Sequence, residues 1–345
     1  MRVGVLTAGG DCPGLNAVIR ASVRRLSELG HEPVGLERGF EGLAGGSRRS
    51  LDNGAVSGTL HVGGTILSTS GYDPFFEEDG VERVQTAQRD DPLDGVIAIG
   101  GEHTMEVARR LTEELELPVV GVPKTIDNDV PQTDYTFGFD TAVYVATEAI
   151  DRLHSTAESH DRVMVLEVMG RETGWIALFA GVAGGADGIL IPELELTVED
   201  LAGFVESRRA RGKDFSVIVV AEGAKLAFAD GESRDAKATD ETDAYGYARL
   251  GGIGRAVAAE LEERTGCESR TTELGHLQRG GTPTPADRVL ATRYGIRAAE
   301  LAHEERFGEM AALRGAEMTS VPLADVRGRK SVDLGFLEMA RTFFG

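Results

Sequence analysis

One stretch constrains the fold more than any other: Pro118-Val-Val-Gly-Val-Pro-Lys-Thr-Ile-Asp-Asn-Asp129. Its first half is short, apolar, rich in valine and bounded by proline, the pattern of a parallel strand buried on both faces. Its second half carries Lys124, Thr125, Asp127, Asn128 and Asp129, groups that hold charge and move protons. In open α/β sheets, ligands sit beyond the carboxyl ends of the strands, so this run reads as the floor of an active site. A loop that only capped a helix would not ask for a cation and two carboxylates at this spacing.

The theme recurs along the chain. Residues 2–7 read as a strand, Ala8-Gly-Gly-Asp-Cys-Pro-Gly14 as a glycine turn, and 15–29 as a helix with Ile19, Val23 and Leu26 on one face. A glycine turn opening a helix suits an anion. It matches neither the Walker pattern nor the dinucleotide spacing, and a purely structural tight turn reads equally well. A strand is expected at 33–36, a glycine-broken strand at 61–67 leading into Ser68-Thr-Ser-Gly71, and a helix at 81–89. The strand over 94–100 runs into Gly100-Gly-Glu-His-Thr104 and a helix over 105–115. Later strands at 163–168, 216–221 and 269–274 end in Met169-Gly-Arg171, Glu222-Gly223 and Gly275-His-Leu-Gln-Arg-Gly-Gly281, with a further strand at 188–191. Helices fit 141–153, 173 onward, 250–264 and 284–305, and the tail fits a short strand, a charged loop and a last helix. The polar run 230–243 reads as an exposed excursion.

Strands alternating with helices through short glycine turns indicate a doubly wound parallel sheet. The expected fold is α/β, with two Rossmann-like three-layer α/β/α domains, mostly parallel sheets and an active site in the cleft between them. The expected division is 1–139 plus 251–301 for one domain and 140–250 plus 302–345 for the other.

A chain of 345 residues is long enough for two such cores. Its net charge of -21 argues against nucleic acid or an anionic membrane as partner. Arginine far outnumbers lysine, so local arginine clusters carry information about anionic substrates. Cys12 and Cys267 lie far apart, which is no disulfide framework and no metal site, and fits a reducing cytoplasm. The opening apolar run is too short for a signal peptide, and none approaches the ~18 residues of a membrane span.

If the strand ends converge, the site has two linings. Glycine amides with Lys124, Arg162, Arg171, Arg270 and Arg279 would grip phosphates, while Asp127, with Asp129 near it, would activate a hydroxyl. Phosphoryl transfer to an alcohol needs that pairing, because positioning and charge neutralisation carry most of its catalysis.

The arrangement closely resembles the phosphofructokinase family, nearly end to end, through Gly9-Gly-Asp-Cys-Pro-Gly-Leu-Asn16, Gly100-Gly-Glu-His-Thr104, Pro123-Lys-Thr-Ile-Asp-Asn-Asp129, Met169-Gly-Arg171 and Gly275-His-Leu-Gln-Arg-Gly-Gly281. The resemblance implies that the first domain binds the phosphoryl donor and the second the sugar phosphate. It makes Asp127 the base for the sugar 1-hydroxyl, with Asp129 beside it, and Arg171 the stabiliser of the moving phosphoryl group. Thr125, Met169, Gly170, Glu222 and His276 would hold fructose 6-phosphate, and Arg270 and Arg279 its 6-phosphate. Arg162 would reach a neighbouring subunit's site, implying a homodimer or homotetramer. Gly10, Gly101, His103, Thr104 and Lys124 would line the donor site, and Glu102 would be the acid linked to Mg²⁺.

The donor side departs from ATP-using relatives, which typically carry a small residue in place of Lys124 and glycine in place of His103. Pyrophosphate-using relatives typically carry that lysine, with an aspartate at the other position. Bulk beside Glu102 would fill the space of an ATP α-phosphate, and Lys124 would supply charge for a short donor. Gly71 stands where the family usually has an arginine; loss of such a cation typically costs about 3–4 kcal/mol. The resemblance thus implies a pyrophosphate-dependent, reversible glycolytic phosphotransferase, with ATP as the alternative donor. A sugar-phosphate-binding regulatory homologue is a further alternative, which Asp127 and Arg171 oppose. The motifs from 169 to 279 count against an NAD or lipid kinase. Arg20, Arg24 and Lys213 fall where bacterial relatives bind effectors, a pattern that His154 breaks.

Overall fold

The computed structural model describes residues 1–227, 233–235, 237–242 and 248–345. The chain divides into two compact units, Met1–Thr141 with Arg279–Arg329, and Ala142–Gln278 with Lys330–Gly345.

In the first unit, eight of the described strands form one sheet. The order from one edge is Glu317–Pro322, Glu309–Arg314, Val119–Thr125, Gly95–Gly100, Arg2–Thr7, Glu32–Leu36 and Arg48–Ser50, with Phe137–Gly138 also paired to Val119–Thr125. The central pairs are parallel, and the two outermost pairs are antiparallel. The register sets Thr7 opposite Ile99 and Gly100 opposite Pro123. The carboxyl ends of three strands therefore finish level, and the loops at 8–14, 100–102 and 124–129 share one sheet edge.

Both faces of this sheet are covered at its centre, which is why its central strands are largely apolar, while the edge strands Arg48–Ser50 and Glu317–Pro322 are polar. Val96 and Ala98 join Met105 and Leu111 in one apolar cluster. Ile97 and Ile99 point the other way and are fully buried, on a sheet against which the Pro285–His303 helix also packs. The residues expected as a strand at 61–67 form turns instead. Their backbone is satisfied by a side chain: Asn16 Nδ2 donates to the carbonyls of Val62 (3.0 Å) and Gly63 (3.3 Å), and Asn16 Oδ1 accepts from the Ile66 amide at 2.7 Å.

The end of the first unit's leading segment is clasped by a buried carboxylate. Asp287 Oδ2 accepts from the Thr141 amide at 2.8 Å and from Thr141 Oγ1 at 2.5 Å, and the Thr284 amide donates to Thr141 Oγ1 at 3.0 Å. Burial pushes the Asp287 pKa up to about 6, against the hydrogen bonds from Thr141. A carboxyl raised in the folded state favours folding below its unfolded pKa and loses that advantage as pH rises through the folded one. Asp287→Asn removes this ionisation, so wild-type stability should fall relative to the variant by about 2 kcal/mol between pH 4 and pH 7. Urea melts at those two pH values read the difference directly, and parallel profiles would contradict it.

In the second unit, four described strands run parallel in the order Ser269–Glu273, Val163–Val168, Ser216–Ala221, Gly188–Leu190. Val163, Val165, Ile218 and Val220 pack with Leu201, Val205, Val257 and Leu261 of the Val198–Ala210 and Ile253–Thr265 helices. Smaller sheets join Leu196–Thr197, Lys225–Ala227 and Ser233–Asp235, and pair Lys237–Thr242 with Ala248–Leu250. The expected excursion at 230–243 lies partly outside the described residues; the described part includes the backbone of two of these short strands.

The division differs from the expected one after residue 250. Residues 251–278 belong to the second unit, because Ser269–Glu273 pairs with Val163–Val168 and the Ile253–Thr265 helix packs on both. Residues 302–329 belong to the first, because Glu309–Arg314 extends its sheet beside Val119–Thr125. The first crossing, after Thr141, lies two residues past the expected one after residue 139.

Candidate active site

Ten of the expected residues fall in the first unit: Gly10, Gly101, Glu102, His103, Thr104, Lys124, Thr125, Asp127, Asp129 and Arg279. The strand carrying Lys124 is central in the sheet, so the side chain is buried despite its charge. Its Nζ donates to the Gly10 carbonyl. A Cβ at Gly9 would stand 3.8 Å from that nitrogen and 3.9 Å from Thr104 Oγ1. Burial lowers the Lys124 pKa and Arg279 adds to the fall, while Asp11 and Asp127 oppose it. Arg279 closes the same cradle, donating from its guanidinium to the Asp11 carbonyl at 3.3 Å. Gly10 lies directly beside it, since a Cβ there would come within 2.9 Å of that guanidinium. Glycine backbone, an ammonium, a guanidinium and a hydroxyl thus converge, a set that binds phosphate oxygens.

The acidic turn after the strand is held in part by its neighbours. Ile126 is fully buried, and the Asp127 amide donates to Thr125 Oγ1 at 3.0 Å. Thr136 Oγ1 donates to the Thr125 carbonyl at 2.8 Å, and the Thr136 amide donates to Asn128 Oδ1 at 3.1 Å. Asn128 is buried with φ +50°, a left-handed turn that asparagine tolerates, and Asp127 and Asp129 are left half-buried on either side of it. Asp129 lies 3.8 Å from the Arg329 guanidinium.

Glu102 opens the Glu102–Leu115 helix, half-buried, and His103 follows it. His103 Nε2 meets Asp73 Oδ2 at 2.9 Å, and this hydrogen bond holds the histidine pKa above its ordinary value against desolvation. Gly71 is exposed on the segment laid beside the glycine turn, where Thr69 Oγ1 donates to the Gly9 carbonyl at 2.6 Å. Cys12 is buried against Gly138, and burial pushes its thiol up to about 12, which leaves it inert as a nucleophile.

The other expected residues, Arg162, Met169, Gly170, Arg171, Glu222, Arg270 and His276, fall in the second unit. At the carboxyl end of its sheet the Gly223 amide donates to the Gly170 carbonyl at 3.0 Å, and the Glu222 amide to the Val168 carbonyl at 2.8 Å. Gly170 adopts φ +142°, and a Cβ on Gly223 would overlap the Arg171 carbonyl, so both must be glycine for Met169, Arg171 and Glu222 to present from one ledge. His276 is exposed in the Gly275–Gln278 turn after the neighbouring strand. Arg162 and Arg270 lie together at the opposite end of these strands. Arg162 Nε sits 2.9 Å from Glu268 Oε2, and Arg270 bonds the other oxygen of the same carboxylate.

Two residues escaped the sequence reading. Asp73 stands in a run without periodicity and carried no signal. Glu167 did carry one, as an acid inside an apolar strand. It is buried and accepts from the Gly252 amide (3.1 Å) and the Gly254 amide (2.8 Å), which places it at the start of the Ile253–Thr265 helix. Burial raises its pKa against those two amides. The described residues contain no group of three or more histidine, cysteine, aspartate or glutamate side chains that could hold a metal, and none of their helices is long and apolar enough to cross a membrane.

Comparison with known proteins finds relatives along nearly the whole chain. The phosphofructokinase family pattern matches residues 2–302. A pyrophosphate--fructose 6-phosphate 1-phosphotransferase of Streptomyces coelicolor is 51% identical over 347 residues, covering all of both chains. An ATP-dependent 6-phosphofructokinase of Chloroflexus aggregans is 54% identical over 336 residues, covering 95% of this chain and 91% of that protein. The crystal structure of Pichia pastoris phosphofructokinase in the T-state aligns with a TM-score of 0.80 at 33% identity, over 94% of this chain and 37% of that one. The fold is also that of a pyrophosphate-dependent phosphofructokinase from Marinobacter aquaeolei, with a TM-score of 0.80 at 22% identity over 97% of this chain and 86% of that one. A family pattern spanning most of the chain, with relatives more than half identical along almost all of it, places this protein in the phosphofructokinase family.

Proposed function

We propose that the protein transfers a phosphoryl group from pyrophosphate to the 1-hydroxyl of fructose 6-phosphate, giving fructose 1,6-bisphosphate and phosphate, reversibly. In this reading the sugar oxygen attacks the near phosphorus of the donor. An O–P bond forms, the P–O–P bridge breaks, phosphate leaves, and the hydroxyl proton passes to the Asp127 carboxylate. Arg171 neutralises charge on the moving phosphoryl group. Met169, Gly170, Glu222, His276 and Thr125 orient the sugar, so that binding energy is used for alignment.

The observation that supports the donor is Lys124. Its buried ammonium, fixed on the Gly10 carbonyl beside Arg279, supplies charge for a compact donor made only of phosphates. Identity alone does not separate donors, since relatives named for pyrophosphate and for ATP are about equally similar. Magnesium usually keeps several waters and takes one or two carboxylates plus substrate phosphates, so Glu102 alone, half-buried at its helix start, fits a metal that arrives with the donor. The ion would add charge neutralisation, and Glu102 would hold it.

Arg162 and Arg270 support an assembly of more than one copy. They stand roughly 20 Å from the Met169 end of their strands, at 3.3 Å per residue, too far to share one hexose phosphate with it. Both then serve the sugar-phosphate site of a neighbouring subunit in a homo-oligomer. The donor is tested by initial rates with pyrophosphate, ATP and polyphosphate, each with fructose 6-phosphate and sedoheptulose 7-phosphate as acceptors. Pyrophosphate is expected to support turnover and ATP almost none; an ATP preference would overturn the donor assignment.

A further inference from the structure

Residues 68–77 form no helix or strand, yet they are tied both to the glycine turn of the phosphate cradle and to the start of the Glu102–Leu115 helix. At one end Thr69 Oγ1 donates to the Gly9 carbonyl at 2.6 Å, and the Gly9 amide donates to the Ser70 carbonyl at 3.4 Å. At the other end Asp73 meets His103 Nε2 at 2.9 Å. The Asp73 carboxylate is only 6% exposed, and its second oxygen accepts from the Phe75 amide at 2.7 Å. Two further contacts fasten the segment to the same helix. Phe76 stacks on the His103 ring at 6.1 Å between centroids and 17° between planes, and the Arg110 guanidinium lies 3.8 Å over the Phe75 ring.

A histidine at the second position of an exposed helix start would ordinarily move among rotamers. Here the imidazole is held by a buried carboxylate and a phenyl ring, one residue from Thr104, whose hydroxyl lines the cradle with Lys124. A side chain that swings aside admits a longer ligand, whereas a side chain pinned from outside the site acts as a wall.

We infer that Asp73 is a specificity-determining positioning residue. By pinning His103 with the help of Phe76, it closes the donor site to phosphate chains longer than pyrophosphate and to nucleoside triphosphates. This rests on the proposed pyrophosphate chemistry and adds to it the residue that enforces the length limit. Asp73 touches no reacting group in that scheme and acts only through the ring it holds.

The test compares kcat/KM for pyrophosphate, tripolyphosphate and ATP in the full-length wild type, Asp73→Ala and Phe76→Ala. Asp73→Ala is expected to raise the tripolyphosphate-to-pyrophosphate ratio at least about tenfold, the scale of one specificity contact, and the ATP ratio with it, leaving the KM for fructose 6-phosphate within about twofold. Phe76 is largely exposed, so Phe76→Ala keeps the fold intact and should move both ratios the same way by less. Ratios unmoved in both variants, or all donors falling in proportion, would mean that the staple is merely structural and would overturn the inference. A wild type that prefers ATP would overturn the underlying donor reading, visible before any variant is made. A wild type that prefers pyrophosphate with unmoved variants would overturn only the wall.

Discussion

Asp127→Ser is expected to lower kcat for fructose 6-phosphate phosphorylation by about 10³-fold, within the range of a lost general base, while the KM values for both substrates change only a few-fold. Several groups besides this carboxylate support the turn. Ile126 is fully buried, the Asp127 amide is held by Thr125 Oγ1, and Thr136 bonds both Thr125 and Asn128. Serine leaves those supports in place and removes the carboxylate that would accept the proton. A loss in kcat with binding retained is the signature of an interaction used only in the transition state. Steady-state rates in both directions, with sugar-phosphate binding by calorimetry, measure the two parts. Unchanged turnover in the variant would remove Asp127 from the chemistry. A wild type that binds sugar phosphate but never turns over would favour the regulatory homologue instead.

Lys124→Gly is expected to lower kcat/KM for pyrophosphate by about 10²–10³-fold, the range seen on deleting a preorganised donor to a transferring group. The ammonium is buried and donates to the Gly10 carbonyl, so its loss removes a charge from the cradle and a tether from the glycine turn. Lys124→Met, which keeps the volume but removes both the charge and the hydrogen bond, separates the ammonium from the bulk of the side chain. If charge toward the donor matters, both variants lose pyrophosphate activity together. If only the bulk beneath the glycine turn matters, the methionine variant keeps more of it. Normal pyrophosphate kinetics in both variants would show that Lys124 does not contact the donor.

Much of this molecule was legible from local patterns. The strands over 2–7, 95–100, 119–125, 163–168 and 216–221 are each largely apolar on both faces, and a peptide of that kind has one low-energy home, the interior of a parallel sheet. Each ends in glycine beside a charged or polar group, or, at 119–125, in lysine and threonine, which marks the carboxyl edge where a ligand can approach backbone amides. The failures share a cause. Residues 61–67 read as a broken strand, but their hydrogen bonds go to Asn16, forty-six to fifty residues earlier. The boundary expected near 250 and the placement of 302–329 depended on which distant strand would take Ser269–Glu273 and Glu309–Arg314 as neighbours. Asp73 carried no local signal because its partner, His103, lies thirty residues away.

The sequence by itself determined the α/β class, the positions of the strand-end loops and the chemical groups they carry, because short-range periodicity and turn composition act within a few residues. Only the tertiary structure decided which of those loops finish level on one sheet edge, that Lys124 is pinned to Gly10 under Arg279, and that Arg162 and Arg270 share Glu268 at the far end of their strands. Those outcomes depend on strand order and register, which are set by burying whole faces against distant segments rather than by any residue's own preference.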